Sequence, residues 1–387
     1  MSSRAAPTRQ GWLLVACAVA TGAMGRVFGV IELYFLCGAM LVAALIAYLS
    51  VLLRRPRVAV RRWVRPDVLT AGDVGRVDIV LRANGTGPRP GFELVEAVGA
   101  DRTARIAVSP MRGGTERSAG YRVPTERRGV LTIGPLVAVR HDLLGLARAT
   151  ADIAGVDELL VAPRAIELDM PELGNGTLGR HLQTLSVRLG PGEFHSLREY
   201  VPGDEPRTIH WRASARSDEL KVRQHSAEGL RRCTVVLDQQ TSPSGDLDAF
   251  ERGVVAAASL VHSADLAGLQ TRFATTTGVD LRGPTVSVQT MHHLARVMPV
   301  DGHPQAIERD PGEGLGLVFV ITASAAADAW LLLSDLRDGT LTAVGVFTQQ
   351  PAPNRVPFAV DARSMRSLLE TWTTLVGRPR TRRKVVA

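Results

Sequence analysis

Apolar residues follow three regimes along this chain. Leu33–Leu53 is a run of about twenty residues without a charge, enough at about 1.5 Å per residue to cross a hydrocarbon core of about 30 Å. Trp12–Met24 is also apolar and, with Val27, Phe28, Val30 and Ile31, predicts a second, poorer span with Arg26 snorkelling near its end. The two make a helical hairpin that turns at Arg26 and Glu32. A secretory signal would use Ala18-Val19-Ala20 as its cleavage site, but only about six apolar residues precede it, too few for an ordinary signal core.

From Val58 to about Thr150 the period becomes two. Val58–Val64, Val77–Leu81, Phe92–Val95, Arg105–Val108, Tyr121–Val123, Val130–Ile133 and Leu136–Val139 alternate between turns such as Ala71-Gly72-Asp73 and Arg112-Gly113-Gly114. About seven short strands of this kind predict a β-sandwich. Asp157–Pro171 then reads as a connector carrying a short strand, Leu159–Pro163, and the glycine-rich Gly174–Gly192 as a mobile loop.

After His225 strands and helices alternate. Strands are predicted over Thr234–Leu237, Gln270–Thr276, Leu315–Thr322 and Leu341–Phe347, and helices over Leu247–Ala267, Val286–Val297, Ala325–Leu336 and Asp361–Val376. That order predicts a parallel, doubly wound α/β sheet, which binds ligands beyond the carboxyl ends of its strands. The loops after Leu237 and Ile321 are therefore the places to look for chemistry. The predicted organisation is an N-terminal tail with two transmembrane helices (1–55), a β-sandwich (56–150), a linker and loop (151–191), the α/β domain with the charged stretch before it (192–377), and a basic tail (378–387).

Hydrophobic residues make up 45% of the 387, which fills the cores of two or three domains. The net charge of +8 points to nucleic acid until it is located. Arg4, Arg9, Arg54, Arg55, Arg57, Arg61, Arg62, Arg378, Arg380, Arg382, Arg383 and Lys384 more than account for it, so the body of the chain is net acidic. Basic residues flanking apolar spans suit anionic lipid, and no basic stripe with stacking aromatics argues for nucleic acid. By the positive-inside rule, arginines before Gly11 and after Leu53 predict a cytoplasmic location for both ends of the hairpin and for all that follows. Cys17, Cys37 and Cys233 show no disulfide or CxxC spacing, consistent with a reducing compartment.

One stretch stands apart. Between Gly192 and His225, Arg198, Arg207, Arg212, Arg216, Lys221 and Arg223 alternate with Glu193, Glu199, Asp204, Glu205, Asp218 and Glu219, set among Phe194, Leu197, Tyr200, Ile209 and Trp211. Balanced charge among aromatics reads as a packed loop whose ions pair internally or face a partner. Leu197-Arg198-Glu199-Tyr200, then Pro202-Gly203-Asp204, Arg207, Ile209, Trp211 and Ala215-Arg216, resembles the signature of the bacterial family called "domain of unknown function 58". Arg127-Arg128-Gly129 through Gly134-Pro135 to Asp142-Leu143-Leu144-Gly145-Leu146 is similar to a second family segment, which tends to read Asp-Pro-Phe-Gly-Leu at its end.

The resemblance implies a fold like the von Willebrand factor type A domain and operation beside a MoxR-type AAA+ ATPase in assembly or maturation of a client protein. It also implies a metal site built on Asp-x-Ser-x-Ser, a threonine and a later aspartate, suited to a hard cation such as Mg²⁺. Asp238 and Ser242 match that pattern, Gln240 replaces the first serine, and Thr322-Ala323 follows the later strand without an aspartate. The expected state is a degenerate site in which Asp238 caps a turn or helix.

Enzyme signatures are lacking: the sequence has no GxxxxGK[ST], GxSxG, HExxH or paired CxxC. His292-His293 predicts one surface and one half-buried histidine, and Cys233, despite Arg231 and Arg232, a core thiol. His195, His210 and His225 lie among carboxylates that nearby arginines tie up. The sequence therefore predicts a membrane-anchored, non-enzymatic interaction protein. Arg198, Glu199, Tyr200, Asp204, Arg207, Trp211 and Arg216 either brace its fold or meet a partner. The alternatives are an envelope hydrolase or a metal-dependent peptide receptor.

Overall fold

The computed structural model describes residues 3–53, 58–66, 68–83, 85, 87–188, 194–199, 209–215, 220–225, 232–240, 245–305, 316–324, 327–328, 330, 341–351 and 356–377. The chain divides into two compact units, Met1–Ala162 and Pro163–Ala387.

The first unit opens with a strand, β1 (Ser3–Pro7), and two helices, α1 (Arg9–Phe28) and α2 (Ile31–Leu53). Both helices are long and apolar enough to cross a membrane. Gly29, with φ of 69°, ends α1 in the left-handed region and lets α2 begin two residues later. Eleven strands follow: β2 (Val58–Arg65), β3 (Leu69–Thr70), β4 (Gly75–Ala83), β5 (Pro88–Arg89), β6 (Phe92–Val98), β7 (Arg102–Val108), β8 (Met111–Arg112), β9 (Glu116–Val123), β10 (Gly129–His141), β11 (Ala147–Ala154) and β12 (Asp157–Ala162). One sheet has seven strands with β10 joined to β6, β11 and β12, and another has the order β2-β4-β9. Alternation does the work in β4, whose Val77, Ile79 and Leu81 share one buried cluster with Phe92 and Leu94 of β6 and with Ile133, Leu136 and Ala138 of β10.

Two elements here escaped the sequence pattern. β11 reads Ala-Arg-Ala-Thr-Ala-Asp-Ile-Ala and buries Ala147, Ala149 and Ala151, residues too small to register as an apolar stripe. β1 pairs antiparallel with it, Ser3 opposite Ala151 through Pro7 opposite Ala147. The segment expected as a connector belongs partly to the sheet, since β12 pairs with β10 and, in parallel, with β3.

The second unit comprises α3 (Gly176–Arg188), β13 (Phe194–Glu199), α4 (Trp211–Ser214), β14 (Lys221–His225), β15 (Arg232–Leu237), α5 (Leu247–Leu266), β16 (Gln270–Thr275), β17 (Asp280–Arg282), α6 (Val286–Arg296), β18 (Gly316–Thr322), β19 (Leu341–Phe347), β20 (Ala359–Asp361) and α7 (Met365–Val376). Its main sheet has the order β17-β16-β15-β18-β19-β20. All neighbours are parallel except β17, which returns antiparallel on β16. Val235, Leu237, Phe319 and Ile321 face a core completed by α3, α5, α6 and α7, while Val236 and Val320 face the opposite cluster with Trp330 and Phe347. α5 buries Ala256, Ala257, Ala258, Ser259 and Ala264, small side chains that let its backbone lie close to the sheet.

Two expectations are corrected here. Gly174–Gly192 is not a loop throughout, because residues 176–188 form α3. Its Leu178 and Leu182, four apart on one face, enter the core, and that burial outweighs the glycines around it. The closing helix does not begin at Asp361, which ends a short buried strand. Ser364 caps the helix in a capping box with Ser367, so it starts at Met365. The helix expected over Ala325–Leu336 lies mostly outside the described residues.

Candidate functional site

In the second unit β15 and β18 lie side by side although β16 and β17 intervene in sequence, so the chain reverses its direction of sheet growth between them. The connections leaving their carboxyl ends lead to different neighbours, and the crevice at such a switch point is where sheets of this kind hold ligands. Asp238 stands at the end of β15, and its backbone N–H donates to the Ile321 carbonyl at 2.9 Å.

The Asp238 side chain is buried and hydrogen-bonded at both oxygens. Thr322 Oγ1 donates to Oδ2 at 2.7 Å and Thr276 Oγ1 to Oδ1 at 3.3 Å. The Gln240 amide closes a turn onto Oδ1 at 3.1 Å. Gln239 is locked alongside: its amide donates to Thr276 Oγ1 at 3.0 Å, Thr277 donates to its Oε1, and its Nε2 donates to the Met298 carbonyl at 3.3 Å. No cation is hydrogen-bonded to the Asp238 carboxylate among the described residues. Burial pushes its pKa up from the ordinary value, against the pull of the Thr322, Gln240 and Thr276 donors, and Asp328 adds to the rise.

The opening itself is small, about 30 Å³, room for a water molecule or two. Leu237, Asp238, Gln240, Thr322 and Thr348 line it together with the start of α5. Gln240 Oε1 is buried there without a partner among the described residues. Asp246 lines it too, but caps α5 by accepting from Ala249 N at 3.1 Å and faces Arg252 at 3.4 Å.

These groups do not fit a hard-cation centre. Mg²⁺ asks for near-octahedral oxygen donors, usually with one or two free carboxylates. Of the two carboxylates lining the opening, Asp238 has both oxygens accepting hydroxyl or amide protons, and Asp246 caps α5 and faces Arg252. Among the described residues no group of three His, Cys, Asp or Glu side chains could hold a metal. Ser242, the other expected ligand, lies outside the described residues.

The loops after Leu237 and Ile321, singled out from the sequence, meet where Thr322 donates to Asp238. Thr276 was missed, although a run of three threonines at the end of a strand, Thr275–Thr277, is a visible signal.

The charged stretch is described in part. Arg198 and Glu199 lie on β13, which pairs antiparallel with β14, Arg198 opposite Val222 and Glu199 opposite Lys221. Tyr200, Asp204, Arg207 and Arg216 lie outside the described residues. Ile209 is buried, whereas Trp211, two residues on, opens α4 with 65% of its surface exposed. Arg212 beside it is also exposed.

Cys233 is fully buried, and burial alone pushes its thiol up to about 12. His292 is exposed and His293 half-buried, with burial lowering the pKa of the latter.

Residues 196–356 match the model of a family described as "Protein of unknown function DUF58". That span runs from within β13 to just before β20. No curated protein matches the chain. Among solved structures, a putative ApaA protein from Bordetella pertussis is 14% identical, over 27% of this chain and 92% of that one, with a TM-score of 0.20. A GH2 beta-galacturonidase from Eisenbergiella tayi is 17% identical over 29% and 19% of the two chains, with a TM-score of 0.17. The alkylpurine DNA glycosylase AlkC from Pseudomonas fluorescens is 13% identical over 40% and 48%, with a TM-score of 0.19. At such scores these likenesses carry no argument.

Proposed function

We propose that this protein is a membrane-anchored interaction protein whose second unit, matched to the family model over residues 196–356, presents the Trp211 region to a protein partner. The exposure of Trp211 carries the reading. A tryptophan turned outward beside Arg212, while neighbouring Ile209 is buried, is the side-chain chemistry of a binding hot spot.

The finer architecture belongs to the same proposal. In sequence order the main sheet runs third, second, first, fourth, fifth, sixth strand, with the third antiparallel, which supports a von Willebrand A-like domain. The shared core of the first unit's sheets supports a β-sandwich. Pairing of β1 with β11, and packing of Ala47 and Val51 of α2 on Ala147 and Ala149, bring both ends of the hairpin to β11, which supports two crossings, and the flanking arginines support a cytoplasmic side. The MoxR-type AAA+ ATPase, acting on an unidentified client, is the partner that the family resemblance implies.

The test is Trp211→Ala in the full chain. The expected result is an unchanged melting temperature with loss of the ATPase from material purified out of membranes. A fall of several degrees with the ATPase retained would make Trp211 part of the fold and overturn the reading. Hydrolytic activity that survives Trp211→Ala would favour the enzyme alternative.

A further inference from the structure

We infer that the turn at Asp142–Leu146 is a lipid-facing wedge, with Leu143 and Leu144 seated in the membrane interface beside the start of α1. The inference rests on the membrane-anchored reading above and adds a contact which that reading does not require.

The turn is rigid. It joins β10 to β11, and the Asp142 carboxylate accepts from Leu144 N at 2.9 Å and Ala147 N at 2.6 Å. The Gly145 amide donates back to the Asp142 carbonyl at 3.2 Å, and the Asp142 amide donates to Ala147 at 3.1 Å. Closed by these bonds, the loop holds its two leucines outward. Leu143 is 105% exposed and Leu144 66%. A single surface leucine is unremarkable, but two adjacent ones on a fixed tip form an apolar point that water does not favour.

The position of the tip identifies what covers it. Thr8, the cap of α1, donates its amide to the Leu146 carbonyl at 2.9 Å and its hydroxyl to Gly145. Gly11 packs so closely on the Leu146 carbonyl that a Cβ there would overlap it. At the other end of the hairpin, Ala47 and Val51 of α2 are buried against Ala147 and Ala149 of β11, flanked by Tyr48 and Leu146. Ala47 lies six residues before the end of α2, about 9 Å at about 1.5 Å per residue, so this end of the sheet reaches alongside the apolar part of the helix. Two separate contacts, with the first turn of α1 and the last turns of α2, thus set the turn at the level where both helices leave the bilayer.

The surroundings suit that level. Trp12, one turn into α1, is 62% exposed, the position of an interfacial aromatic. Arg4, Arg9 and Arg148 are exposed on the adjoining strands and helix, where anionic headgroups would meet them.

The experiment uses the full chain with Cys17→Ala and Cys37→Ala, leaving only the buried Cys233, in vesicles of phosphatidylethanolamine and phosphatidylglycerol. Single cysteines are introduced as Leu144→Cys, as Leu45→Cys on the exposed face of α2, and as Val74→Cys. Val74 is 71% exposed on the turn after β3, which pairs with the far end of β12. Each carries an environment-sensitive fluorophore, read against a nitroxide placed near the lipid headgroup. Blue-shifted, quenched emission at 144 and 45, with water-like, unquenched emission at 74, is expected. Water-like emission at 144 with quenching at 45 would overturn the wedge and leave the anchor standing. Unquenched probes at both 144 and 45 would overturn the anchor and the wedge together.

Discussion

Glu96 in the first unit and Asp238 in the second are both buried carboxylates, and they are satisfied in opposite ways. Glu96 pairs with the Arg62 guanidinium and accepts from Tyr121 Oη at 2.9 Å, while Arg62 also reaches Asp157. Burial alone would lower the Arg62 pKa, but the bonds to Asp157 and Glu96 raise it overall. Burial, followed by the charge of Glu96, also raises that of Tyr121. Asp238 has hydroxyls and one amide but no cation, so its charge is solvated by dipoles alone. A buried charge with its counter-ion braces a core, whereas one held by dipoles at a strand end is what a site, or the remnant of one, looks like.

The largest effect expected from that contrast is Arg62→Ala, which leaves Glu96 buried and unpaired. Loss of one partner from a buried pair costs about 3–5 kcal/mol, so the full chain in detergent should unfold at a markedly lower denaturant concentration. A small shift would mean that water already reaches Glu96. Next comes Thr322→Val, which keeps the shape but removes the donor to Asp238 Oδ2. Leaving a buried acceptor without that donor costs about 1–3 kcal/mol, measured the same way, and raises the Asp238 pKa further.

The smallest effect is the sharpest in sign. Because the folded pKa of Asp238 lies above its unfolded value, the folded state binds the proton more tightly. Its contribution therefore falls as pH rises from the ordinary carboxylate range to the folded pKa, and is constant above. Asp280 is the reverse case: hydrogen bonds from Arg282 and then Arg272 lower it to about 2. Its stabilisation is complete above the ordinary carboxylate range and is lost as pH falls toward 2. Melting temperature against pH should accordingly decline slightly less on the acid side in Asp280→Asn and gain stability at neutral pH in Asp238→Asn. Asp280 is more than a third exposed, so solvent screening keeps its effect modest.

Much of the α/β unit was legible because each buried strand and amphipathic helix writes its period into the chain. β15, α5, β16, α6, β18 and β19 fall within a residue or two of their expected bounds. α3 was hidden because its apolar residues, Leu178, Leu182, Leu185 and Val187, follow a glycine-rich start and are set among polar ones, so the segment looks like loop until the core that receives Leu178 and Leu182 is known. β11 was hidden by alanine, which packs well but signals weakly. At the site, Asp238 was visible as a strand-end carboxylate. Of its partners, Thr322 at the end of β18, 84 residues away, lay where the strand order directed attention, whereas Thr276, 38 residues away, did not.

What the sequence determined by itself is whatever water enforces locally: two apolar helices, alternating strands, and the order in which strands and helices follow. What the tertiary structure decided is whatever depends on long-range neighbours. β1 joined β11 through backbone hydrogen bonds, which carry no side-chain pattern. Thr276 and Thr322 met at Asp238 only because the sheet order brings those strand ends together. The leucines of Asp142–Leu146, ordinary turn residues in the chain, became a coherent apolar tip once Thr8, Gly11 and Val51 fixed them beside two membrane-length helices.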